Sequence, residues 1–221
     1  MTDHPQVASL VGATGLVGQA LLQLLLSDER FGKVHILVRR STGMTHAKLI
    51  EHIINFDAPQ SWQSAVMGDV LFSTLGTTIK VAGSQAAQYR VDYTYQFEVA
   101  KAARQNGIGT YVLISSPWAL PNSGIFYRRM KGVLERDTEA LKFPCTRFVR
   151  PGPLYGDRQE ARKGEGTAIA VLRTFSCLLP RVVRPNHALT VARAALAAEF
   201  DSTPGTICYE PDDVALLGKE R

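Results

Sequence analysis

Ser115 and Ser116 close an apolar run, and eleven residues after Ser116 comes Tyr127, followed four residues later by Lys131. On a helix, positions i and i+4 share a face, so this phenol and this ammonium can reach one bound molecule. A free tyrosine loses its proton only at about pH 10, too high for acid–base work at neutrality. A neighbouring ammonium favours the phenolate and brings the group into working range. Ser116 would then hold a substrate oxygen while Tyr127 passes it a proton or removes one. That is the proton half of a carbonyl–alcohol interconversion, and the hydride half needs a carrier. The competing reading makes Tyr127 a helix aromatic packed on a sheet and Lys131 a solvated charge.

The start of the chain offers a place for such a carrier. Val7–Val11 is a short apolar run that leads into Gly12-Ala13-Thr14-Gly15-Leu16-Val17-Gly18 and then a leucine-rich helical stretch through residue 27. Gly12 permits a tight turn off a strand, Gly15 lets backbone amides approach a pyrophosphate, and Gly18 lets the helix pack closely on the sheet. Thr14, Leu16 and Val17 complete that turn, and the free N–H groups of the helix start would face the phosphates. The spacing is G-x-x-G-x-x-G, so it is the strand–turn–helix context that makes it a dinucleotide signal. Arg39 and Arg40 lie 21 and 22 residues after Gly18, where a carboxylate would bond the ribose hydroxyls of NAD. Guanidinium groups there suit a 2′-phosphate, which makes NADP the expected cofactor rather than NAD. The alternative is a solvated basic turn. Asp57 could accept a hydrogen bond from the adenine amino group or cap the turn before Pro59. Leu75, Gly76 and Thr77 follow another apolar run, where small residues let the backbone pass beneath a ribose; the alternative is that Gly76 serves only a tight turn.

The elements that must position these groups alternate along the chain. Strands are expected at residues 7–11, 34–38, 52–56, 70–74, 110–115, 146–149 and 206–210. Helices are expected at 16–27, about 84–105, 126–141, 168–179 and 188–200, with Asn106-Gly107 as a helix stop. This alternation predicts an α/β fold, a doubly wound parallel sheet covered by helices on both faces. Ligands of such sheets bind beyond the carboxyl ends of the strands, where every residue named so far is expected to lie. With 221 residues the chain suits one domain. From residue 150 to about 205 it grows richer in Pro, Gly and Arg and is expected to add a small lobe on the substrate side. Within it, Asp157-Arg158-Gln159-Glu160 reads either as a loop closing on the substrate or as a salt-bridged surface loop.

Composition narrows the classes. The net charge of +5 is spread along the chain without a basic tail or zinc spacing, which argues against nucleic acid as a partner. The five histidines form no metal-ligand pattern, and no G-x-S-x-G elbow occurs. No apolar run reaches the roughly 18 residues that span a bilayer, and the first residues show no secretory signal, so a cytosolic location is expected. Cys145, Cys177 and Cys208 sit in apolar sequence and are expected to be buried thiols.

Taken together, Gly-Ala-Thr-Gly-Leu-Val-Gly, Leu-Val-Arg-Arg after the second strand and Leu-Gly-Thr-Thr after the fourth resemble the short-chain dehydrogenase/reductase superfamily. Ser115-Ser116, Tyr127-x-x-x-Lys131-Gly132, Arg150-Pro151-Gly152, Asp157-Arg158-Gln159-Glu160 and Leu217-Gly218-Lys219 extend the likeness. It is strongest to the small atypical group that includes the Tat-interacting oxidoreductase-like proteins. The resemblance implies a Rossmann fold, NADP(H) along the strand ends and a Ser-Tyr-Lys site built from Ser116, Tyr127 and Lys131. It places Ser115 beside the nicotinamide, Lys131 on the nicotinamide ribose, and Pro151 to Leu154 near the carboxamide. The short Ser116-to-Tyr127 spacing and the small lobe point to a small-molecule substrate rather than a nucleotide sugar. Members of this group can also act as cofactor-dependent regulators, so a non-catalytic module read by a protein partner is the second expectation. A third reading, a semialdehyde dehydrogenase using a cysteine thiolate, needs a second large domain that 221 residues do not supply.

Overall fold

The computed structural model describes residues 4–156 and 185–219. Among these residues nine strands form in chain order: β1 (Gln6–Val11), β2 (Phe31–Val38), β3 (Leu49–Ile53), β4 (Val70–Ser73), β5 (Thr110–Ile114), β6 (Cys145–Val149), β7 (Leu154–Tyr155), β8 (Asn186–His187) and β9 (Gly205–Tyr209). Seven of them build one sheet in the order β3-β2-β1-β4-β5-β6-β9, and every neighbouring pair is parallel. The chain first winds outward from β1 through β2 to β3, then starts again at β4 on the other side. The reversal lies between β1 and β4, where a crevice opens at the carboxyl ends.

The α-helices among the described residues are α1 (Leu16–Ser27), α2 (Ile79–Ala82), α3 (Gln85–Tyr89), α4 (Gln96–Gln105), α5 (Phe126–Glu139), α6 (Ala188–Glu199) and α7 (Pro211–Leu217). A π-turn, Arg90–Tyr95, joins α3 to α4 without a break, so the helix expected at about 84–105 is one continuous helical stretch. Ser84 caps it, accepting from the Ala87 amide. Because both faces are covered, strand residues of both parities are apolar. On one face Leu10, Ile36, Phe72 and Val112 pack with Leu21 and Leu25 of α1 and Val191 and Ala195 of α6. On the other, Leu37, Leu71, Tyr111 and Leu113 pack with Val99 and Ala103 of α4 and Leu134 of α5.

Three expectations need correction. The third strand is Leu49–Ile53 rather than 52–56. The Ile54 amide still bonds the Val38 carbonyl, after which the chain turns so that Phe56 tucks against Trp62 and stacks on Tyr95. Its apolar residues serve a buried loop, not a ladder. Second, Cys208 is exposed on the edge strand β9, which leaves one flank open, and Cys145, the first residue of β6, is only half-buried; Cys177 lies outside the described residues. Third, α7 was not anticipated, although Glu210 and Asp213 form a capping box around Pro211 at its start. Gly218 closes that helix so tightly on α6 that a Cβ would lie 2.2 Å from the Thr190 carbonyl oxygen. Of the segment assigned to the substrate side, the 157–160 loop and the 168–179 helix lie outside the described residues. The β7–β8 pair is present, and α6 packs on α1 in the main helical layer.

Candidate functional site

The glycine turn fits its expected geometry. Gly12 has φ of +89°, and a Cβ there would meet the Thr74 carbonyl carbon at 2.6 Å and the Leu75 nitrogen at 2.7 Å. The ends of β1 and β4 thus touch, with no room for any side chain between them. At Gly18 a Cβ would lie 2.0 Å from the Gly12 carbonyl oxygen, so the start of α1 presses on the turn itself. Gly15 is the N-cap, and α1 opens with no side-chain cap and no acidic residue in its first turn. Its first amides are therefore left for an anion.

At the end of β5, Lys131 is buried, 3% exposed, and its Nζ donates to the Ile114 carbonyl at 3.2 Å. The Ser115 hydroxyl beside it is buried with no hydrogen-bond partner among the described residues. The Ser116 hydroxyl donates to the Pro117 carbonyl at 3.2 Å. Tyr127 lies one helical turn before Lys131 on α5, 39% exposed, and its hydroxyl has no partner among the described residues. The structure therefore brings Ser115, Ser116, Tyr127 and Lys131 to one strand end.

Arg39 and Arg40 stand exposed directly after β2, without a hydrogen-bond or ion-pair partner among the described residues. Asp57 does not cap the turn before Pro59. Its Oδ1 accepts from the Tyr95 hydroxyl and the Arg90 guanidinium, each at 2.6 Å. The Tyr95 hydroxyl first, and Arg90 with it, holds this carboxyl below its ordinary range. The Asn55 side chain accepts from the Asp57 amide, and the turn that starts at Pro59 has no side-chain cap. After β4, Leu75 packs on the core, Gly76 is exposed, and the Thr77 amide donates to the Asp92 carboxylate at 2.8 Å. Pro151 is buried and Leu154 packs with the α1 face. Asn186 clamps this segment, accepting from the Gly152 amide at 2.7 Å and donating its own amide to the Pro153 carbonyl. Gly156 then returns to within 3.2 Å of the Leu16 side chain, measured from where a Cβ would stand.

Two groups of positioning residues were not anticipated. Gln88, Asp92 and Gln96 are buried polar residues that link the helix to the end of β4. Gln88 donates to Asp92 and to the Thr77 carbonyl, while Gln96 accepts from the Ser73 hydroxyl at 2.8 Å. Burial holds the Asp92 carboxyl above its usual range, partly offset by the charge of Lys131. The second group is Glu135 on α5, which takes the Arg150 guanidinium through both oxygens at 3.0 and 2.6 Å, while Arg150 also reaches Glu210 at 2.6 Å. This fork pins the helix carrying Tyr127 and Lys131 to the end of β6. The Arg150-Pro151-Gly152 motif was in view, but its partners lie far away in sequence.

These residues fit a dinucleotide: a glycine cradle that a Cβ would fill, uncapped helix amides, a partnerless buried hydroxyl and two unpaired guanidinium groups. Comparison with known proteins agrees. A family model described as NAD(P)H-binding matches residues 12–143. The chain belongs to this NAD(P)H-binding family. Protein FMP52, mitochondrial, of Eremothecium gossypii is 42% identical over 222 residues, covering 96% of this chain and 98% of that protein. The FMP52 protein of Coccidioides immitis is 35% identical, covering 92% and 88%. By both comparisons the chain is also a member of the FMP52 family. Among solved structures, a short chain dehydrogenase family protein from Francisella tularensis superposes with a TM-score of 0.70 at 15% identity, covering 96% of this chain and all of that one. MoeE5 in complex with UDP-glucose and NAD gives 0.69 at 16% identity, covering 96% and 80%. At such identities the likeness is one of fold alone, a parallel Rossmann-like α/β sheet. One expectation falls. The curated relatives are named mitochondrial proteins, which points away from a cytosolic location. The test applied to the first residues concerned secretory signals and membrane spans, whereas mitochondrial targeting uses amphipathic basic segments.

Proposed function

We propose that this chain is an NADP(H)-dependent oxidoreductase that interconverts a carbonyl and an alcohol on a small substrate. The observation that carries the reading is the buried Lys131 ammonium, held at the Ile114 carbonyl beside the partnerless Ser115 hydroxyl and one helical turn from the exposed Tyr127. The bound nicotinamide supplies or accepts the hydride. Ser116 holds the substrate oxygen by turning its hydroxyl away from the Pro117 carbonyl. Tyr127 donates a proton to that oxygen as the alcohol forms and takes one as the carbonyl forms. Lys131 bonds the nicotinamide ribose, one helical turn from Tyr127. Gly12, Thr14, Gly15, Leu16, Val17 and Gly18 cradle the pyrophosphate. Leu75, Gly76 and Thr77 pass beneath a ribose, and Pro151 and Leu154 back the carboxamide. Arg39 and Arg40 pair with the 2′-phosphate, which makes NADP the cofactor over NAD. The Asp57 oxygen left free by Tyr95 and Arg90 accepts from the adenine amino group. The name shared by the curated relatives leads us to place the chain in mitochondria.

The test is titration with NADPH and NADH by fluorescence, followed by turnover of a panel of carbonyl compounds. NADPH is expected to bind at least tenfold more tightly. Tyr127→Phe is expected to keep NADPH binding and lose turnover; a fully active variant removes Tyr127 from the chemistry. A second reading, a cofactor-dependent module read by a protein partner, draws on the exposed Trp118, Leu120 and Ile125 beside Tyr127. It requires partner capture that changes with NADPH and no turnover on the panel.

A further inference from the structure

The segment between β5 and α5 is fastened along its length, yet it presents large apolar side chains outward. Leu120 donates its amide to the Arg128 carbonyl at 3.1 Å, and Gly132 seats Leu120 and Pro121 so closely that a Cβ would lie 2.3 Å from the Leu120 carbonyl carbon. Arg129 donates to the Ser123 carbonyl at 2.7 Å, and the Ile125 amide bonds the Ser123 side chain. Trp118 is held at a φ of 57°, a left-handed conformation that a tryptophan rarely adopts, with the Arg128 guanidinium 4.7 Å over its ring. From this rigid stretch Trp118, Leu120 and Ile125 are exposed around the start of α5, where Tyr127 stands. Across the neighbouring strand end, Ile79 and Val81 of α2 are exposed as well. Residues 74–84 and 115–125, which follow β4 and β5, contain no Asp or Glu, and Lys80 is their one charged residue.

The exposed side chains of Ile79, Val81, Trp118, Leu120 and Ile125 offer a polyol a single hydrogen-bonding group, the indole N–H. A sugar hydroxyl needs paired donors and acceptors, and burying it against indole and aliphatic carbon leaves it unsatisfied. An alkyl or aryl group gains by covering this surface, and its strained, fastened backbone costs little further ordering on binding. Resting on the oxidoreductase reading above, we infer that the substrate is an apolar carbonyl compound, an alkyl or aryl aldehyde or ketone. Its chain lies on Trp118, Leu120 and Ile125, and its oxygen reaches Ser116 and Tyr127. In the reducing direction the C=O bond becomes C–OH: the hydride from NADPH goes to carbon, the Tyr127 proton goes to oxygen, and NADP+ leaves.

The experiment measures kcat/KM of the NADPH-loaded protein for straight-chain aldehydes from propanal to octanal, with glyceraldehyde as the polar comparator. At about 0.8 kcal/mol per buried methylene, each added carbon is expected to raise kcat/KM two- to fourfold, so octanal exceeds propanal by about thirtyfold or more. Trp118→Ala is expected to cost octanal at least tenfold and propanal less than threefold, with NADPH affinity reporting that the variant is folded. A flat series, or glyceraldehyde equalling octanal, overturns the inference and leaves the oxidoreductase reading standing. If nothing turns over, the oxidoreductase reading falls. Octanol titration then decides the ligand class: a saturable change in tryptophan emission, absent in Trp118→Phe because Trp62 is buried, supports an apolar ligand, and no change overturns it. Self-association abolished by Trp118→Ala, together with a flat series, assigns the face to a second copy and also overturns the inference.

Discussion

Glu135→Gln is the perturbation with the sharpest consequence. Glu135 is buried on α5 and receives two charge-assisted hydrogen bonds from Arg150, at 3.0 and 2.6 Å. Arg150 sits at the end of β6, about one-fifth exposed, and has a third bond to the half-exposed Glu210. Glu135 first, with Glu210 adding to it, holds the guanidinium firmly in its charged form. Removing one partner of a buried ion pair costs about 3–5 kcal/mol. The partial exposure of Arg150 and its remaining bond to Glu210 reduce this to about 2–3 kcal/mol. For a domain of this size that lowers Tm by about 5–10 °C. Glu210→Gln removes the rim charge facing Arg150 while its amide oxygen can still accept from the N3 backbone in the α7 capping box, and is expected to cost under about 1 kcal/mol. The assay is reversible chemical or thermal unfolding of both single variants and the double, which gives the coupling through Arg150. Because Glu135 pins the helix carrying Tyr127 and Lys131, turnover is expected to fall further than NADPH affinity. A Tm for Glu135→Gln within about 1 °C of the parent, or a larger loss in Glu210→Gln, refutes the account.

Other outcomes follow from the same geometry. Gly18→Ala places a methyl 2.0 Å from the Gly12 carbonyl oxygen, so NADPH affinity is expected to fall at least tenfold with a loss of stability of about 1–3 kcal/mol, read by titration and melting. Replacing Arg39 and Arg40 together by Ser is expected to lower the NADPH-over-NADH preference at least tenfold in paired titrations; an unchanged ratio removes them from the 2′-phosphate site. Asp92→Ala strips the acceptor from the Thr77 amide and from Gln88, with an expected cost of about 2–3 kcal/mol in urea unfolding. His35 and His52 meet ring to ring at 2.9 Å, and burial first holds both below the ordinary histidine range. A lowered folded-state value means that the unfolded chain takes protons first. Stability is therefore full above about pH 6.5 and declines as pH drops below it, and His52→Gln is expected to flatten that decline in melts across pH.

The parts of this molecule that could be read directly were those fixed by local pattern. Gly12, Gly15 and Gly18 announce a strand–turn–helix because each spacing meets a steric need within a few residues. The Tyr127–Lys131 step was legible for the same reason, since one helical turn sets which side chains share a face. The third strand was misplaced because Leu49–Ile53 is a half-buried edge without clean alternation, whereas Ile54 and Phe56 owe their apolar character to Trp62 and Tyr95. Glu135 and Arg150 are 15 residues apart and adjacent only because α5 lies over β6. Gln88, Asp92 and Gln96 carried no signal in the sequence, because nothing in the composition reveals a turn wider than α. The Glu210–Asp213 box was a signal in plain view.

That wide turn has a consequence of phase. In a regular α-helix each four-residue step overshoots one revolution by about 40°, so Gln96 would stand some 80° around the axis from Gln88. The π-turn at Arg90–Tyr95 absorbs the overshoot, and the three side chains form one inward column from Thr77 to Ser73. Excising a single residue there would shorten the helix only slightly. It would swing everything beyond the cut by about 100° and turn Val99 and Ala103 off the sheet.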